Sequence, residues 1–219
     1  MRTLDFIETL KRFEKAVFTT TDIAKIINKD KKYTRLYLLR LKNRGVMWRI
    51  ERGKYALKNT HPFILASNLI FPSYISFLAA LSYYGFTSQM PRIIYVVALK
   101  AKRDVNIDDC AFKFVKFKKE RFFGYKREVF QGKFIFIAEL EKLIVDSLFL
   151  PKYCPIDEIF NGIREAGFDL NKLLEYGIKM NSIVVLKRLG YLLDLRGFDT
   201  YDELKGKLNN KFDLLNPLL

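Results

Sequence analysis

The sequence has very few of the residues on which many catalytic sites depend. Its 219 residues include one histidine, His61, and two cysteines, Cys110 and Cys154. One imidazole excludes zinc sites that need two or three histidines, and two isolated thiols provide neither a disulfide framework nor a cysteine-rich zinc site. His61 precedes Pro62 at a polar junction, and no GxSxG nucleophile accompanies it. We therefore predict no catalytic residue and no metal ligand.

Nucleotide-binding loops and targeting segments are also missing. Neither GxxxxGKS/T nor GxGxxG occurs, so we predict no P-loop, no dinucleotide site and no cofactor. The first residues carry a charge every few positions without an apolar run, which predicts a cytoplasmic protein that lacks a signal peptide. The uncharged stretch 62–91 contains prolines, serines and a glycine, and we interpret it as buried globular structure instead of a membrane span.

Acidic residues are few relative to basic ones, and the imbalance is uneven along the chain. There are 39 lysines and arginines against 24 aspartates and glutamates, which gives a net charge of +15. Residues 1–60 hold 16 basic and 6 acidic residues, residues 61–134 hold 12 and 5, and residues 135–219 hold 11 and 13. A positive field of this strength favours a polyanion as partner. We expect the N-terminal part to face it.

The N-terminal segment shows the element order helix, short strand, helix, helix, strand, turn, strand. Asp30 is a candidate N-cap for a helix over 31–44, which Gly45 closes. Two short β-prone runs then flank a glycine-containing turn at 51–54. This order predicts a winged helix-turn-helix over residues 1–58.

The helix over 31–44 has a packing face and a basic face. At 100° per residue, Thr34, Leu38 and Leu41 fall on one side, and Lys32 and Arg35 fall roughly opposite. In a winged helix-turn-helix the basic face enters the major groove, and the wing reaches phosphates or the minor groove beside it. The candidate DNA-binding residues are Lys31, Lys32, Tyr33, Arg35, Arg40, Arg49, Arg52 and Lys54.

The same residues allow a plainer interpretation. Basic residues on a helix face are often only a solvated surface, and a basic hairpin can simply aid solubility. Leu36 and Leu39 also lie on the supposed outer face, where they would contact thymine methyl groups or the following domain. The DNA-binding interpretation depends on the coincidence of helix order, basic face, glycine turn and local charge.

Residues 61–219 are predicted to form a second domain, strand-rich over 91–138 and helical over 139–208. Ser73 is predicted to cap a helix over 74–84. Runs of β-branched and aromatic residues predict strands at 93–99, 111–118 and 134–138. The expected fold class is α+β: an N-terminal winged helix-turn-helix, a mixed α/β segment and a helical C-terminal region.

Two further patterns in this domain are open to more than one interpretation. Basic residues alternate with aromatic ones at Lys113, Lys116, Lys118, Lys119, Arg121, Lys126 and Arg127. Such a pattern is typical of a half-exposed sheet, and it also occurs where single-stranded nucleic acid stacks on a protein. Lys142 and Asp146 are spaced as a helical ion pair, whereas Glu141 and Asp146 point too far apart on a helix to share a metal.

Three motifs resemble a known family. They are Tyr37-Leu38-x-Arg40-Leu41-x-x-x-Gly45 with Arg49-Ile50-x-Arg52-Gly53-x-Tyr55, then Pro72-Ser73-Tyr74-Ile75-Ser76 with Ala80-Leu81-Ser82-Tyr83-Tyr84-Gly85, and Ala138-x-x-Glu141-Lys142-x-x-x-Asp146. Together with Lys187-Arg188-Leu189-Gly190-Tyr191-Leu192 they span most of the chain and resemble the AbiEi family of antitoxin-type transcriptional regulators. The resemblance implies a winged helix followed by an antitoxin domain over 61–219, without catalytic activity.

The same resemblance implies partners and a function. In that family the cognate toxin resembles a nucleotidyltransferase encoded beside the antitoxin. We therefore expect a transcriptional autorepressor that binds double-stranded DNA at its own promoter. It would also be the antitoxin of a toxin–antitoxin phage-defence module and counteract the neighbouring toxin functionally, with or without physical contact. No membrane partner is expected.

Two alternatives stay open. One is a nucleic-acid-processing enzyme that a winged helix targets to its substrate, which would need clustered Asp, Glu or His side chains around a metal ion. The other is a basic scaffold that binds a protein partner through exposed aromatic residues.

Overall fold

The computed structural model describes residues 2–87, 91–165 and 167–215. Within these residues the chain is a mixed α+β protein with ten α-helices and two β-sheets. The last residues of the predicted second domain, 216–219, lie outside the described residues. None of the helices in the described ranges has the length and apolar character needed to cross a membrane.

The first sheet and three helices are formed by residues up to Leu57. The helices are α1 (Thr3–Arg12), α2 (Thr20–Ile27) and α3 (Lys31–Asn43), and the strands are β1 (Phe18–Thr19), β2 (Met47–Glu51) and β3 (Lys54–Leu57). β3 lies in the middle of the sheet, antiparallel to both neighbours. Apolar side chains from all six elements form one small core: Phe6, Leu10, Phe18, Ile23, Leu38, Leu41, Met47 and Tyr55.

The second sheet has six strands. They are β4 (Ser73–Ile75), β5 (Ile93–Ala98), β6 (Val105–Ile107), β7 (Cys110–Lys116), β8 (Tyr125–Phe130) and β9 (Lys133–Ala138). Their order is β6-β7-β5-β4-β9-β8. The pairs β5–β7 and β4–β9 are parallel, and the other pairs are antiparallel. The sheet is therefore mixed, with β4 and β5 at its centre.

Seven helices complete the larger part of the molecule. They are α4 (Pro62–Leu69), α5 (Phe77–Tyr83), α6 (Leu140–Phe149), α7 (Ile156–Glu165), α8 (Leu170–Lys179), α9 (Ile183–Asp194) and α10 (Tyr201–Leu204). α6 is the central helix: residues 141–148 are all buried, and α5, α7, α8 and α9 contact it. Three of these buried residues are charged: Glu141, Lys142 and Asp146.

The predicted strands at 93–99, 111–118 and 134–138 are present with shifts of one or two residues, and the C-terminal region is helical as predicted. The prediction of a helix over 74–84 was wrong at its start. Ser73–Ile75 form a strand between β5 and β9, because pairing with two neighbours in the buried centre of a sheet outweighs local propensity. The helix begins only at Phe77.

The strand-rich region therefore extends beyond the predicted range 91–138. β4 precedes it, and β6 and β8 lie inside it without having been predicted. β6 has only three residues, and β8, with the sequence YKREVF, carries three charges among six residues. Both features weaken the period-two alternation on which strand prediction depends.

The N-terminal elements pack directly on the larger part. Of the larger core's buried residues, only Ala16, Ile50 and Ala56 precede residue 61. The Lys133 ammonium, at the start of β9, donates to two backbone carbonyls at the end of α1. The described residues thus form two apolar cores, which are joined by buried residues of the N-terminal elements and by polar contacts. The division at residues 58–61 stays a prediction.

Candidate nucleic-acid interface

Local sequence fixes the two ends of α3. The Asp30 carboxylate accepts a hydrogen bond from the Tyr33 backbone N–H at 2.8 Å, which satisfies one of the free donors in the first turn. At the other end Gly45 has φ of +68°, a conformation that glycine adopts without steric cost. The Thr34 hydroxyl donates to the Asp30 carbonyl oxygen at 2.7 Å and tightens the same first turn.

The predicted division of α3 into two faces is confirmed. Thr34, Leu38 and Leu41 are buried against the small core. The exposed side chains of the helix are Lys31, Lys32, Tyr33, Arg35, Leu36, Leu39, Arg40, Lys42 and Asn43. Five of these nine are lysine or arginine and none is acidic, so the solvent side of α3 is basic, with uncharged side chains between the cations.

The β2–β3 hairpin lies next to this surface. Arg49 pairs across the hairpin with Tyr55, and the register shifts between Arg49 and Glu51. Gly53 has φ of +76° in the turn, and the exposed Arg52 stands beside it. The turn therefore projects an arginine at its tip, with a second arginine on the adjoining strand.

A groove of about 460 Å³ separates α3 from the hairpin. It is lined by Thr20, Arg35, Leu39, Lys42, Arg49, Arg52, Gly53 and Tyr55. Four of these eight residues are cations and none is acidic. Because no carboxylate in the lining compensates the four positive charges, the groove attracts anions such as the phosphates of a nucleic-acid backbone.

The structure brings some of the predicted site residues together and separates others. Arg35, Arg49 and Arg52 line the groove. The remaining predicted residues on α3 are exposed along the same helix: Lys31, Lys32, Tyr33 and Arg40. Lys54 does not line the groove, since its ammonium pairs with the Glu51 carboxylate at 3.0 Å.

Of the four cations that line the groove, Lys42 is the one that the sequence prediction missed. It lies seven residues after Arg35 and three after Leu39, a spacing that places all three on one helix face. The helical spacing of Lys42 from Arg35 and Leu39 was therefore enough to predict it from the sequence. Leu36 and Leu39 are 53% and 51% exposed, and Leu39 reaches into the groove. Within the described residues, neither leucine packs against the larger apolar core.

Glu51 ties the hairpin to the larger part of the molecule. Its carboxylate pairs with Lys54 on the same hairpin and with Lys102, which follows β5. Burial acts to raise the pKa of Glu51, but hydrogen bonds from the two ammonium groups outweigh it and lower the pKa below its usual value. The carboxylate therefore stays charged and holds the hairpin tip in position.

Asp146 and Glu141, the two carboxylates considered from the sequence as a metal pair, are buried. Asp146 accepts hydrogen bonds from the Tyr74 hydroxyl at 3.1 Å and the Ser76 hydroxyl at 2.9 Å, and it pairs with Lys142. Burial and the adjacent Asp146 carboxylate raise the pKa of Tyr74 well above its usual value, so the phenol stays a donor. Glu141 accepts from the Asp169 backbone N–H at 3.1 Å.

The remaining residues considered from the sequence are His61, Cys110 and Cys154. His61 caps α4, with Nδ1 accepting a hydrogen bond from the Phe63 N–H at 3.2 Å. Cys110 and Cys154 are free thiols. Among residues 2–87, 91–165 and 167–215, no group of three or more histidine, cysteine, aspartate or glutamate side chains is arranged to hold a metal ion.

Comparison with known proteins gives no relative from which a role can be transferred. No protein-family model matches the chain, and a search of curated proteins found no match.

Proposed function

We propose that residues 1–58 are a winged helix-turn-helix that binds duplex DNA, and that the chain is a transcriptional autorepressor and antitoxin. The single observation that carries the DNA-binding part is the groove between α3 and the hairpin. Arg35 and Lys42 from the helix and Arg49 and Arg52 from the hairpin converge there without an acidic residue in the lining.

The exposed surface of α3 suits the major groove. A B-form major groove is wide enough for one α-helix, and arginine and lysine are the side chains that most often contact guanine there. The half-exposed Leu36 and Leu39 provide apolar surface for thymine methyl groups. Arg49 and Arg52 are then placed to contact phosphates beside the helix, which sets its register on the duplex without reading sequence.

The antitoxin part of the proposal comes from the resemblance to the AbiEi family. It assigns residues 61–219 to counteracting a nucleotidyltransferase-like toxin encoded nearby. The alternative, a nucleic-acid-processing enzyme, has no comparable support among the described residues, because Asp146 and Glu141 are held in hydrogen bonds and ion pairs of the core.

The test is footprinting and titration of the full chain on the DNA upstream of its own gene. The Lys32→Ala/Arg35→Ala double variant is expected to lose its preference for one site while nonspecific binding falls less, because these side chains lie on the surface that would meet base edges. Arg52→Ala is expected to weaken binding to all sequences alike and to lower the slope of log affinity against log salt by about one.

One variant serves as the matched control. Arg103→Ala removes a positive charge from an exposed loop that does not line the groove. It is expected to bind the promoter site nearly as the wild type does. Equal protection by the double variant and the wild type, or no promoter binding by the wild type at about 0.15 M salt, would refute the proposal.

A further inference from the structure

A second basic cleft borders the hairpin and shares no lining residue with the proposed DNA groove. It has a volume of about 700 Å³. One wall comes from the loop after α1 and the start of β3, and the other from the end of α4, the loop after β5 and strands β8 and β9. The charged side chains of its lining are Glu14, Lys15, Lys54, Lys100, Lys102 and Arg127.

The cleft carries more positive than negative charge. Three carboxylates lie near its five cations. Glu14 lines the cleft itself, and Asp22 pairs with Lys15 at 2.9 Å. Glu51 pairs with both Lys54 and Lys102. Five cations against three carboxylates leave a surplus of two. In the described part of the chain, Lys100 and Arg127 have no acidic partner within 4.0 Å. These two cations are free to bind an anion.

Aromatic rings accompany the free cations. Phe71, just after α4, leaves 72% of its surface exposed, and its ring centroid lies 5.8 Å from that of Phe136. The Arg127 guanidinium lies 3.8 Å from the centre of the Phe134 ring, which holds it at the cleft wall. A single exposed phenylalanine is common on protein surfaces, but here the ring borders a cleft with unpaired cations.

We infer that this cleft binds a nucleoside 5′-phosphate, with the base against Phe71 and Phe136 and the phosphates on Lys100 and Arg127. Aromatic faces stack on any base, and ammonium and guanidinium groups hold phosphate oxygens. The volume lies within the range of small-molecule sites, which typically form where two parts of a protein meet. A surplus of two charges suits a diphosphate or triphosphate better than a long single strand.

This site is separate from the proposed DNA groove, so it can be tested whether or not the chain binds duplex DNA. Isothermal titration calorimetry of the full chain with ATP, AMP, adenosine and pyrophosphate measures base binding and phosphate binding separately. Affinity is expected to fall from ATP to AMP, with no measurable binding of adenosine. The Lys100→Ala/Arg127→Ala variant should weaken ATP binding by at least about tenfold, as loss of charged hydrogen bonds does.

Two further variants separate base from phosphate recognition. Phe71→Ala should weaken ATP binding and leave pyrophosphate binding unchanged, because only the base contacts that ring. Arg103→Ala removes a charge from the same loop as Lys100 but does not line the cleft, and it should bind ATP as the wild type does. Lys100, Arg127 and Phe71 line the cleft, whereas Arg103 does not. All four side chains are exposed, so replacing them by alanine leaves the core unchanged.

Three results would overturn the inference. The first is the absence of ATP binding at about 1 mM. The second is equal binding of pyrophosphate and ATP with no effect of Phe71→Ala, which would indicate an anion patch without base recognition. The third is much tighter binding of a short oligothymidylate than of ATP, lost in the same variants, which would assign the surface to single-stranded nucleic acid.

Discussion

Lys142 and Asp146 form an ion pair one helical turn apart on α6, and neither side chain exposes any surface to solvent. The ammonium lies 4.4 Å from the centre of the Phe123 ring and 5.2 Å from that of Phe117. The carboxylate reaches across to Tyr74 on β4 and to Ser76 just after it. The pair therefore links the central helix to the central strand of the larger sheet.

Breaking this pair is expected to destabilise the protein strongly. Asp146→Asn leaves the Lys142 ammonium buried without a counter-charge, which typically costs about 3–5 kcal/mol. The double variant Lys142→Met/Asp146→Asn should recover a large part of the loss, because the uncompensated charge is gone and the amide still accepts from Ser76. Urea unfolding followed by circular dichroism measures both. If the double variant were no more stable than Asp146→Asn, the loss of stability would not come from the unpaired Lys142 charge.

Gly124 is expected to tolerate alanine much less well than Gly132. Both have positive φ, +66° and +71°. A Cβ at Gly124 would lie 2.6 Å from Cε2 of Tyr176 and 3.0 Å from Cβ of Lys142, whereas one at Gly132 meets no described atom within 4 Å. Gly132→Ala should cost about 1 kcal/mol of backbone strain, and Gly124→Ala about 3 kcal/mol because overpacking adds to it. Similar unfolding midpoints for the two variants would disprove the close contact.

His61 is expected to make stability depend on pH between about 7.5 and 5. Burial lowers its pKa below the usual 6.5, so the folded state binds fewer protons than the unfolded state. The contribution of neutral His61 to the free energy of unfolding is fully present above the usual pKa of 6.5 and is lost as the pH falls through the lowered pKa. His61→Asn keeps a capping oxygen without a titrating group and should flatten the dependence.

The measurement for His61 is the free energy of unfolding in urea at both pH values. His61→Ala removes the cap and should cost about 1 kcal/mol at the higher pH, with a smaller cost at the lower pH. Because His61 is the only histidine, no other imidazole can produce this step. A wild type and His61→Asn variant with the same pH profile would show that the ring does not titrate as expected.

The fragment 61–219 is expected to fold without the N-terminal segment. All but three residues of the larger core lie within it, and the residues lost, Ala16, Ile50 and Ala56, include two alanines. Under the proposed function, the fragment should protect cells from the neighbouring toxin and fail to shift promoter DNA. Growth after co-expression with the toxin and a gel shift measure the two activities.

A control distinguishes folding from function in that experiment. Circular dichroism and urea unfolding of the purified fragment show whether the sheet and helices persist. A folded fragment that gives no protection would mean that neutralisation acts through repression by the N-terminal segment. The assignment of DNA binding to residues 1–58 and of neutralisation to residues 61–219 would then be wrong.

Features that depend on neighbours along the chain can be predicted from residue type. Asp30 and Gly45 fix the ends of α3 through a cap and a positive φ, and both are readable from residue type. The buried and exposed faces of α3 follow from the helical period alone. The turn between β8 and β9, with Gln131 and Gly132 both at positive φ, is likewise specified by its own residues. Such local interactions need no partner from elsewhere.

Contacts between residues far apart in the chain became apparent from the fold alone. Ser73–Ile75 become a strand because β5 and β9 lie on either side, and no local signal contains that pairing. Arg49 and Arg52 converge with Arg35 on one groove, while Lys54 turns away to Glu51, because the hairpin sends neighbouring side chains to opposite sides. The physical reason is that pairing and burial depend on contacts between segments far apart in the chain, which residue order alone does not specify.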